Sequence, residues 1–544
     1  MGIKKYTANK NNTITNAFTE NLTIRGTGSN MGASDVLETF SIYGQTFKSG
    51  STTGIAQTQE LSRILIEFPV VDIISDRAAG QIPASGNVDF YLCVYNAKHG
   101  QTVPRDATYT VVPVSSSWEE GFGLDMEDYQ DLTNNQEGSN WIKRAGNNSW
   151  NTVGGTYLTS SAGNHFGDRR KKITLEKGTE DLKINVTDDV ERWIDSSITT
   201  GFPNYGFGIF LTASQEAYFS SSAGAFSNNN SIQNPAGATR SYYTKRFFSR
   251  TSEFFHKRPI VEARWDSSTK DNRGNVQYSS SLLNSSDNLN TLYLYNFVNG
   301  QLKNVPGVED ASKKLYVQLF SGSSHPTGSA LRLVTSTDYT TTTVPTVVTG
   351  GYVSAGIYSA SFALTAAAPP LTTIFDVWCL DGTNKLGSQI FTGSFEPNVF
   401  KSSTENVPNS YVININNLKP SYNNNEIARF RVFTRLKDWS PTIYTKAVAK
   451  VENYILDNMY FRINRTIDDQ EIIPYGTGST SPQANGTNGS YTRLSYDISG
   501  SYFDLDMSML EPGYMYYTQI AYYDSNSYKQ FNQTFNFKVD GNGY

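Results

Sequence analysis

Cysteine and histidine are scarce in this sequence. Its 544 residues include two cysteines, Cys93 and Cys379, which fall in segments that we assign to different domains. We therefore expect no disulfide between them and favour assembly in a reducing cytoplasm. Cys93 lies in an alternating strand pattern, which predicts a small core residue and not a nucleophile. The four histidines, none of them in the HExxH or HxH spacing of a zinc site, are His99, His165, His256 and His325.

Charge and long apolar runs are also limited. Charged residues make up 17% of the chain and the formal net charge is −5, which offers no strong positive field to nucleic acid. The first ten residues lack the apolar core of a signal peptide, so we expect no such signal. The longest apolar stretch, residues 355–378, is interrupted by Pro369-Pro370 and by hydroxyl side chains. We therefore expect no membrane span.

Aromatic and turn-forming residues are abundant instead. The chain contains 34 tyrosines and 30 phenylalanines, and between them lie Thr, Ser, Asn and Gly, a mixture typical of strands joined by tight turns. Short apolar or alternating runs recur along the whole chain, which predicts an all-β fold. The predicted strands are 63–68, 88–95, 109–114, 182–186, 206–211, 258–265, 292–295, 315–320, 373–378, 411–415, 428–433, 459–463, 502–505, 514–523 and 535–539.

The spacing of these strands predicts three domains. Residues 1–270 are expected to form a jelly-roll β-sandwich, residues 271–400 an immunoglobulin-like β-sandwich, and residues 401–544 an immunoglobulin- or fibronectin-like β-sandwich. The polar segments 266–290 and 401–410 are interpreted as hinges between the domains. Residues 220–240, rich in Ser, Asn, Ala and Gly, are interpreted as a long exposed loop.

One short helix is predicted within the first domain. Asp188 can cap it, Glu191 follows three residues later, and the apolar residues Val190, Trp193 and Ile194 share one face. We expect Trp193, together with Trp265 of the last strand of this domain, to be buried in the first sandwich.

Acidic clusters and loop tryptophans are the candidates for chemistry. Clustered carboxylates suit a glycosidase, whose two carboxyl groups lie about 5–10 Å apart, or a calcium site, and loop tryptophans can stack on sugars. The simpler interpretation of the carboxylates is a solvated loop, and that of the tryptophans is packing at the edge of the core. Calcium binding and catalysis remain alternatives for the carboxylates. No GxSxG, P-loop or dinucleotide motif occurs, so we name no catalytic, cofactor-binding or metal-ligating residue. The candidates are Glu119, Glu120, Asp125, Glu127, Asp128, Asp188, Asp189, Glu191, Trp141 and Trp150.

Several segments of residues 1–265 resemble the carbohydrate-binding-module-like jelly roll of DNRLRE-type domains. They are the 63–68 strand, the Trp118-Glu119-Glu120-Gly121 turn, the segment 186–193, and Asn204-Tyr205-Gly206-Phe207. The resemblance implies a jelly-roll sandwich for this region and carries no catalytic residues with it.

Other segments resemble virion structural proteins of marine myoviruses, the cyanophage type related to T-even phages. They are Met31-Gly32-Ala33-Ser34-Asp35, 257–267, 287–291, 502–507 and Leu510-Glu511-Pro512-Gly513. This second resemblance covers all three predicted domains, and it implies a component of a phage particle without indicating which part.

The sequence therefore predicts a non-enzymatic structural component of a tailed phage virion, assembled in the host cytoplasm and exposed on the particle as capsid decoration, neck or collar, or tail-associated protein. Its expected partners are other virion proteins and further copies of the chain, with no nucleic acid and no membrane. A receptor- or glycan-binding fibre is the alternative, with a surface glycan as partner, and a depolymerase is a third. The loops 121–151 and 220–240 are the expected docking surface.

Overall fold

The fold is given by a computed structural model, in which the chain forms two compact units. One unit comprises Gly2–Trp265, and the other comprises Asp266–Thr477 with Ser490–Tyr544. The residues that the structure describes are 2–19, 22–44, 47–49, 52–54, 58–100, 102–124, 137–159, 166–195, 201–220, 231–310, 312–334, 346–365, 371–381, 388–398, 410–437, 453–476, 490–524 and 527–541.

The first unit contains fifteen strands and two α-helices within its described residues. The helices are α1 (Val70–Ala78) and α2 (Thr187–Asp195). The strands are β1 (Ile3–Thr7), β2 (Lys10–Thr15), β3 (Val36–Tyr43), β4 (Phe47–Ser49), β5 (Thr52–Gly54), β6 (Gln59–Glu67), β7 (Asp89–Val94), β8 (Ala107–Pro113), β9 (Lys143–Ala145), β10 (Asn148–Ser149), β11 (Lys171–Leu175), β12 (Leu182–Asn185), β13 (Phe207–Leu211), β14 (Tyr242–Phe248) and β15 (Ile260–Arg264).

Two antiparallel sheets make this unit a β-sandwich. One sheet has the order β1-β15-β7-β12, and the other has the order β11-β8-β13-β6-β3-β14 with β2 also paired to β6. The chain passes repeatedly from one sheet to the other, for example between β7 and β8 and between β12 and β13, which is the pattern of a jelly roll and not of a meander. The apolar core contains Ile64, Phe90, Trp193, Phe207 and Val261.

Strand β6 is buried on both of its faces. Because side chains alternate along a strand, Ile64 and Ile66 belong to the main core, whereas Leu61 and Leu65 belong to a second apolar cluster. The second cluster also contains three tryptophans contributed by the segment between β8 and β13. The described part of residues 114–157 therefore forms a packed cover over the outer face of the larger sheet.

The second unit is also built from strands. They are β16 (Asn290–Tyr295), β17 (Phe297–Val298), β18 (Gln301–Leu302), β19 (Leu315–Ser321), β20 (Leu333–Val334), β21 (Val348–Ser354), β22 (Ile357–Leu364), β23 (Ile374–Cys379), β24 (Gln389–Phe395), β25 (Tyr411–Ile415), β26 (Ser421–Asn423), β27 (Ile427–Leu436), β28 (Met459–Arg465), β29 (Glu471–Ile473), β30 (Ser495–Asp497), β31 (Gly500–Asp506), β32 (Met515–Asp524), β33 (Ser527–Gln530) and β34 (Phe535–Asp540).

Strands β16 to β24 surround one core, which includes Val276, Leu292, Leu319, Phe362 and Trp378. The main sheet has the order β16-β22-β21-β19-β23-β24. The first half of β21 pairs with β19 and its second half pairs with β22. A single strand thus joins what would otherwise be the two sheets of an immunoglobulin-like sandwich.

Strands β25 to β34 form a complete immunoglobulin-like sandwich. One sheet has the order β25-β27-β31-β30, and the other has β26-β34-β32-β28-β29 with β33 on β32. In immunoglobulin lettering these are A-B-E-D and A′-G-F-C-C′, the arrangement that defines the fold. Stacked rings of Phe430, Phe461 and Phe503 lie in its core, with ring centroids 4.9 and 4.2 Å apart in the two pairs.

The all-β prediction is confirmed, and a strand occurs at every position where the sequence predicted one. Trp193 and Trp265 are buried in the first core, as predicted. The expectation of one helix was wrong, because α1 is a second one, and α2 begins at Thr187, which places Asp188 inside the first turn and not at the cap.

One predicted hinge is packed into a core, and one predicted loop carries a buried asparagine. Within 266–290, Val276 and Tyr278 lie in the core of β16 to β24, so this segment is not a hinge; residues 401–409 lie outside the described residues. Within 220–240, Asn234 is buried and its amide nitrogen donates to the carbonyl oxygens of Ala213 and Glu216. Asn234 is therefore a buried anchor, whereas Gln233, Pro235, Ala236, Thr239 and Arg240 are exposed, as expected of a surface loop, and residues 221–230 lie outside the described residues.

Candidate functional site

The two adjacent carboxylates of Glu119 and Glu120 lie in different environments. Glu119 is exposed, whereas Glu120 accepts hydrogen bonds from Arg250 Nε at 2.6 Å and Nη2 at 2.5 Å. It also accepts one from the backbone N–H of Asn11 at 2.8 Å. Its charge is therefore used to fix two distant segments together.

Two of the acidic residues of α2, Asp189 and Glu191, are paired in the same way, whereas Asp188 is exposed. Asp189 is fully buried and binds Arg169 Nε at 2.8 Å and the ammonium group of Lys171. Glu191 forms a two-point pair with Arg77 of α1, with distances of 2.7 and 2.6 Å. Such geometry orients both partners strongly, so these carboxylates join helices and strands.

Metal ligation was an open alternative for the acidic clusters. Among the residues that the structure describes, no group of three or more His, Cys, Asp or Glu side chains is placed to hold a metal ion. Asp125, Glu127, Asp128 and His165 lie outside those residues. Within the same described ranges, no helix has the length and apolar character needed to cross a membrane.

His99 and Cys93 lie in environments that favour their uncharged forms. Burial, together with the charges of Lys245 and Arg246, lowers the pKa of His99 to about 4, and its Nε2 accepts the backbone N–H of Arg246 at 3.0 Å. Cys93 and Cys379 are buried free thiols. Burial, with the nearby charge of Glu262, raises the pKa of Cys93 to about 11, so Cys93 is a poor nucleophile at neutral pH.

The loop tryptophans belong to the packed cover of the first unit. Trp141 is completely buried and Trp150 nearly so. Trp150 Nε1 donates to the carbonyl oxygen of Asn140 at 2.8 Å, and the guanidinium of Arg63 lies 5.6 Å from the Trp141 ring. The sugar-stacking alternative for these two residues was wrong, because their rings are not open to a ligand. Within the described part of 121–151, Ser139 and Trp141 are buried while Phe122 and Leu124 are largely exposed, and docking through this loop stays a prediction.

The segments that carry the jelly-roll resemblance contact one another directly. Trp118 Nε1 donates to the carbonyl oxygen of Tyr205 at 2.9 Å. The amide nitrogen of Asn204 donates to the carbonyl oxygen of Phe68 at 2.7 Å. Three segments far apart in sequence are thus joined by two hydrogen bonds.

The helical segment 186–193 contacts these segments through the ring of Trp193. The ring of Trp193 lies 4.7 Å from Phe207 and 6.4 Å from Phe202, centroid to centroid. Gly206, just before Phe207, has a φ of +76°, and a Cβ there would lie 2.0 Å from the carbonyl oxygen of Ile66. Only glycine therefore fits the close approach of these strands.

A buried asparagine fixes segment 31–35 against the Trp118–Gly121 turn. Asn30 donates to the carbonyl oxygen of Glu120 at 2.8 Å and accepts the backbone N–H groups of Gly32 and Gly123, each at 3.0 Å. One of the five segments that carry the virion resemblance, 31–35, thus contacts the turn that carries the jelly-roll resemblance.

A cleft of about 410 Å³ lies within the second unit. It is formed by the outward face of the β25-β27-β31-β30 sheet and by residues of β16, the β17–β18 hairpin and β22. This volume falls in the range of about 300–1,000 Å³ that is usual for ligand pockets. The residues that give the cleft its chemistry are Tyr295, Phe297, Arg429, Arg431, Asp497 and Tyr502.

Two arginine–aspartate pairs lie close to one tyrosine ring in this cleft. Arg429 Nε and Nη2 donate to Asp504 at 2.7 and 2.9 Å, and Arg431 Nη1 donates to Asp497 at 2.7 Å. The two guanidinium carbons lie 4.2 and 4.8 Å from the Tyr502 ring centroid. The aspartates hold both guanidinium groups in fixed positions, and both arginines line the cleft.

Aromatic side chains of the preceding sandwich form the facing wall. Phe297 is 60% exposed at the base of a hairpin, whose turn, Asn299-Gly300, has positive φ at both residues, as a type I′ turn requires. The hydroxyl of Tyr295 is buried without a hydrogen-bond partner, and burial raises its pKa above the ordinary value. Nothing in the sequence analysis singled out these residues.

No protein-family model matches this sequence, and no curated protein matches it either. Among solved structures, the N-terminal Ig1-2 module of the Drosophila receptor protein tyrosine phosphatase DLAR is similar at 8% identity and a TM-score of 0.15, with 50% of this chain and 96% of that chain covered. A marsupial T cell receptor is similar at 8% identity and a TM-score of 0.14, with 49% and 70% covered. TM-scores this low carry no argument, and the immunoglobulin-like assignment rests on the strand order alone.

Proposed function

We propose that the chain is a non-enzymatic structural component of a tailed bacteriophage particle, exposed on the exterior as capsid decoration, neck or collar, or tail-associated protein. Its proposed partners are other virion proteins and further copies of itself, after assembly in the host cytoplasm.

The observation that carries this proposal is the mutual contact of the segments with family resemblance. Trp118 bonds to Tyr205, Asn204 bonds to Phe68, and Asn30 ties the 31–35 segment to Glu120. Catalytic residues line a concave site. The residues named here instead form hydrogen bonds that hold segments of the sandwich together. A shared scaffold is what we expect of related virion building blocks.

The ion pairs give a second, weaker support. Two of the three acidic candidates in α2, Asp189 and Glu191, are neutralised by Arg169, Lys171 and Arg77. A glycosidase needs one carboxyl that holds a proton and another that is free to act, and a two-point pair with arginine opposes both roles.

Immunolabelling of intact particles tests the proposal. Antibodies raised against the folded chain should decorate purified particles at regular external positions in electron micrographs. The same antibodies, absorbed beforehand with the purified chain, provide the control and should leave the particles bare. Label found only on free protein, with intact particles unlabelled, would contradict both the virion assignment and the exterior position.

A further inference from the structure

We propose that the cleft in the second unit binds an acidic saccharide, that is, a sugar chain carrying carboxylate groups. This inference goes beyond a structural role and does not depend on it.

The first step concerns unused hydrogen-bonding capacity. Arg429 uses Nε and Nη2 on Asp504, and Arg431 uses Nη1 on Asp497. Among the described residues, Arg429 Nη1 and Arg431 Nε and Nη2 donate to no protein acceptor. The side chain of Arg429 is 48% exposed and that of Arg431 29%. These guanidinium edges can therefore reach a ligand without breaking either pair.

The second step concerns charge. Three arginines line the cleft, Arg429, Arg431 and Arg493, against two aspartates, Asp497 and Asp504. The cleft thus has a surplus of one positive charge. A carboxylate carries one negative charge and fits the planar guanidinium edge. A polyphosphate carries several negative charges, more than the single surplus positive charge of the cleft can balance.

The third step concerns the remaining surface. The rim alternates donors, the guanidinium N–H groups, with acceptors, the aspartate oxygens, and sugar hydroxyls can satisfy both kinds at once. Phe297, largely exposed, presents an apolar ring face beside them. Ligand pockets typically combine such apolar walls with a few convergent polar groups. A saccharide with a carboxylate matches all three properties together.

The test is titration calorimetry of the full chain with three probes of matched length. These are an oligogalacturonate, a neutral galacto-oligosaccharide and an oligoglutamate peptide. We expect saturable binding of the oligogalacturonate that weakens as salt is raised, and at least tenfold weaker binding of the other two. Equal affinity for the neutral sugar would refute the role of the carboxylate. Equal affinity for oligoglutamate would show that the cleft is a peptide site, and no binding of any probe at millimolar concentration would overturn the proposal.

Variants locate the binding. Arg431→Gln should weaken oligogalacturonate binding at least tenfold. The matched control is Arg435→Gln, which removes the same charge from the same face of β27 outside the cleft and should leave the affinity unchanged. Phe297→Ala, at a largely exposed position, should weaken binding severalfold without affecting folding. The thermal midpoint of each variant checks that it is folded. Wild-type affinity in both Arg431→Gln and Phe297→Ala would mean that the ligand does not bind in this cleft. That result would leave the proposal of a virion component untouched, because that proposal is tested by labelling of particles and not by ligand binding.

Discussion

Replacement of Arg273 by methionine should strongly destabilise the second unit. Arg273 lies in a segment that the sequence suggested was a hinge, yet its Nη1 and Nη2 donate to the two oxygens of Asp376 at 2.6 and 2.7 Å. Asp376 is fully buried and the Arg273 side chain is 13% exposed. Burial lowers the pKa of Arg273, but the bonds and charge of Asp376 outweigh it, and the net pKa is raised.

The magnitude follows from the burial of the carboxylate. Removing one partner of a buried ion pair costs about 3–5 kcal/mol, because the other charge is left desolvated and unpaired. For a unit of this size that corresponds to a fall of roughly 6–20 °C in Tm. The double variant Arg273→Met with Asp376→Asn should recover most of the loss. Its amide is neutral and still accepts the Nε1–H of Trp378, which donates to Asp376 at 2.8 Å in the native chain.

Differential scanning calorimetry is the assay, since it can separate the transitions of the two units. The control is Lys538→Met, which breaks an exposed pair with Asp540 in the same unit, with side chains 49% and 39% exposed, and should cost at most about 1 kcal/mol. A loss below about 1 kcal/mol for Arg273→Met would refute the reasoning. So would a double variant as unstable as the single one.

Three further predictions concern buried groups. Trp193→Ala should lower the free energy of unfolding of the first unit by about 3–5 kcal/mol in denaturant titrations, and an unmoved transition would contradict its place in the core. Burial raises the pKa of Asp271 to about 6, so the protonated carboxyl stabilises the folded chain below pH 4, and this stabilisation is lost as the pH rises through 6. Between pH 4 and 7 the free energy of unfolding of the wild type should therefore fall by about 2–3 kcal/mol more than that of Asp271→Asn. Parallel pH profiles of the two proteins would disprove this. Cys93 and Cys379, 5% and 1% exposed, should react with a thiol reagent only after unfolding; rapid labelling of the native chain would count against their burial.

The strands could be predicted because their own side chains carry the pattern. In β27, buried Ala428, Phe430, Val432 and Thr434 alternate with more exposed residues, so the sequence alone shows which face packs. Strand β2 gave no such signal. Its sequence, Lys10 to Thr15, is almost entirely polar, yet it is buried because its asparagines bond to the backbone of distant loops.

Helix α1 was missed because its local pattern resembles a strand. Four of its nine residues, Val70, Val71, Ile73 and Ile74, are β-branched, which favours a strand locally. Tertiary contacts override this preference: Val70 and Ile73 enter the core and Arg77 pairs with Glu191 of α2. The polar segment 266–275 was misread for a similar reason, since the buried partner of Arg273 is 103 residues away.

The cleft could not be recognised from local patterns. Its wall combines Tyr295 with Arg429, Arg431 and Tyr502, which come from three separated stretches of the chain. One signal was present, because Arg429 and Arg431 alternate on β27 opposite Asp504 and Tyr502 on β31. Pairing those strands in register would have placed the charges on one face.

Quantitative mass spectrometry of purified particles tests the central claim most directly. The chain should be recovered from intact, protease-washed and density-purified particles in many copies relative to the major capsid protein, and it should be released by denaturant without reduction, because both cysteines are buried free thiols. Complete absence from such particles, with the chain found only in the lysate, would contradict the virion assignment.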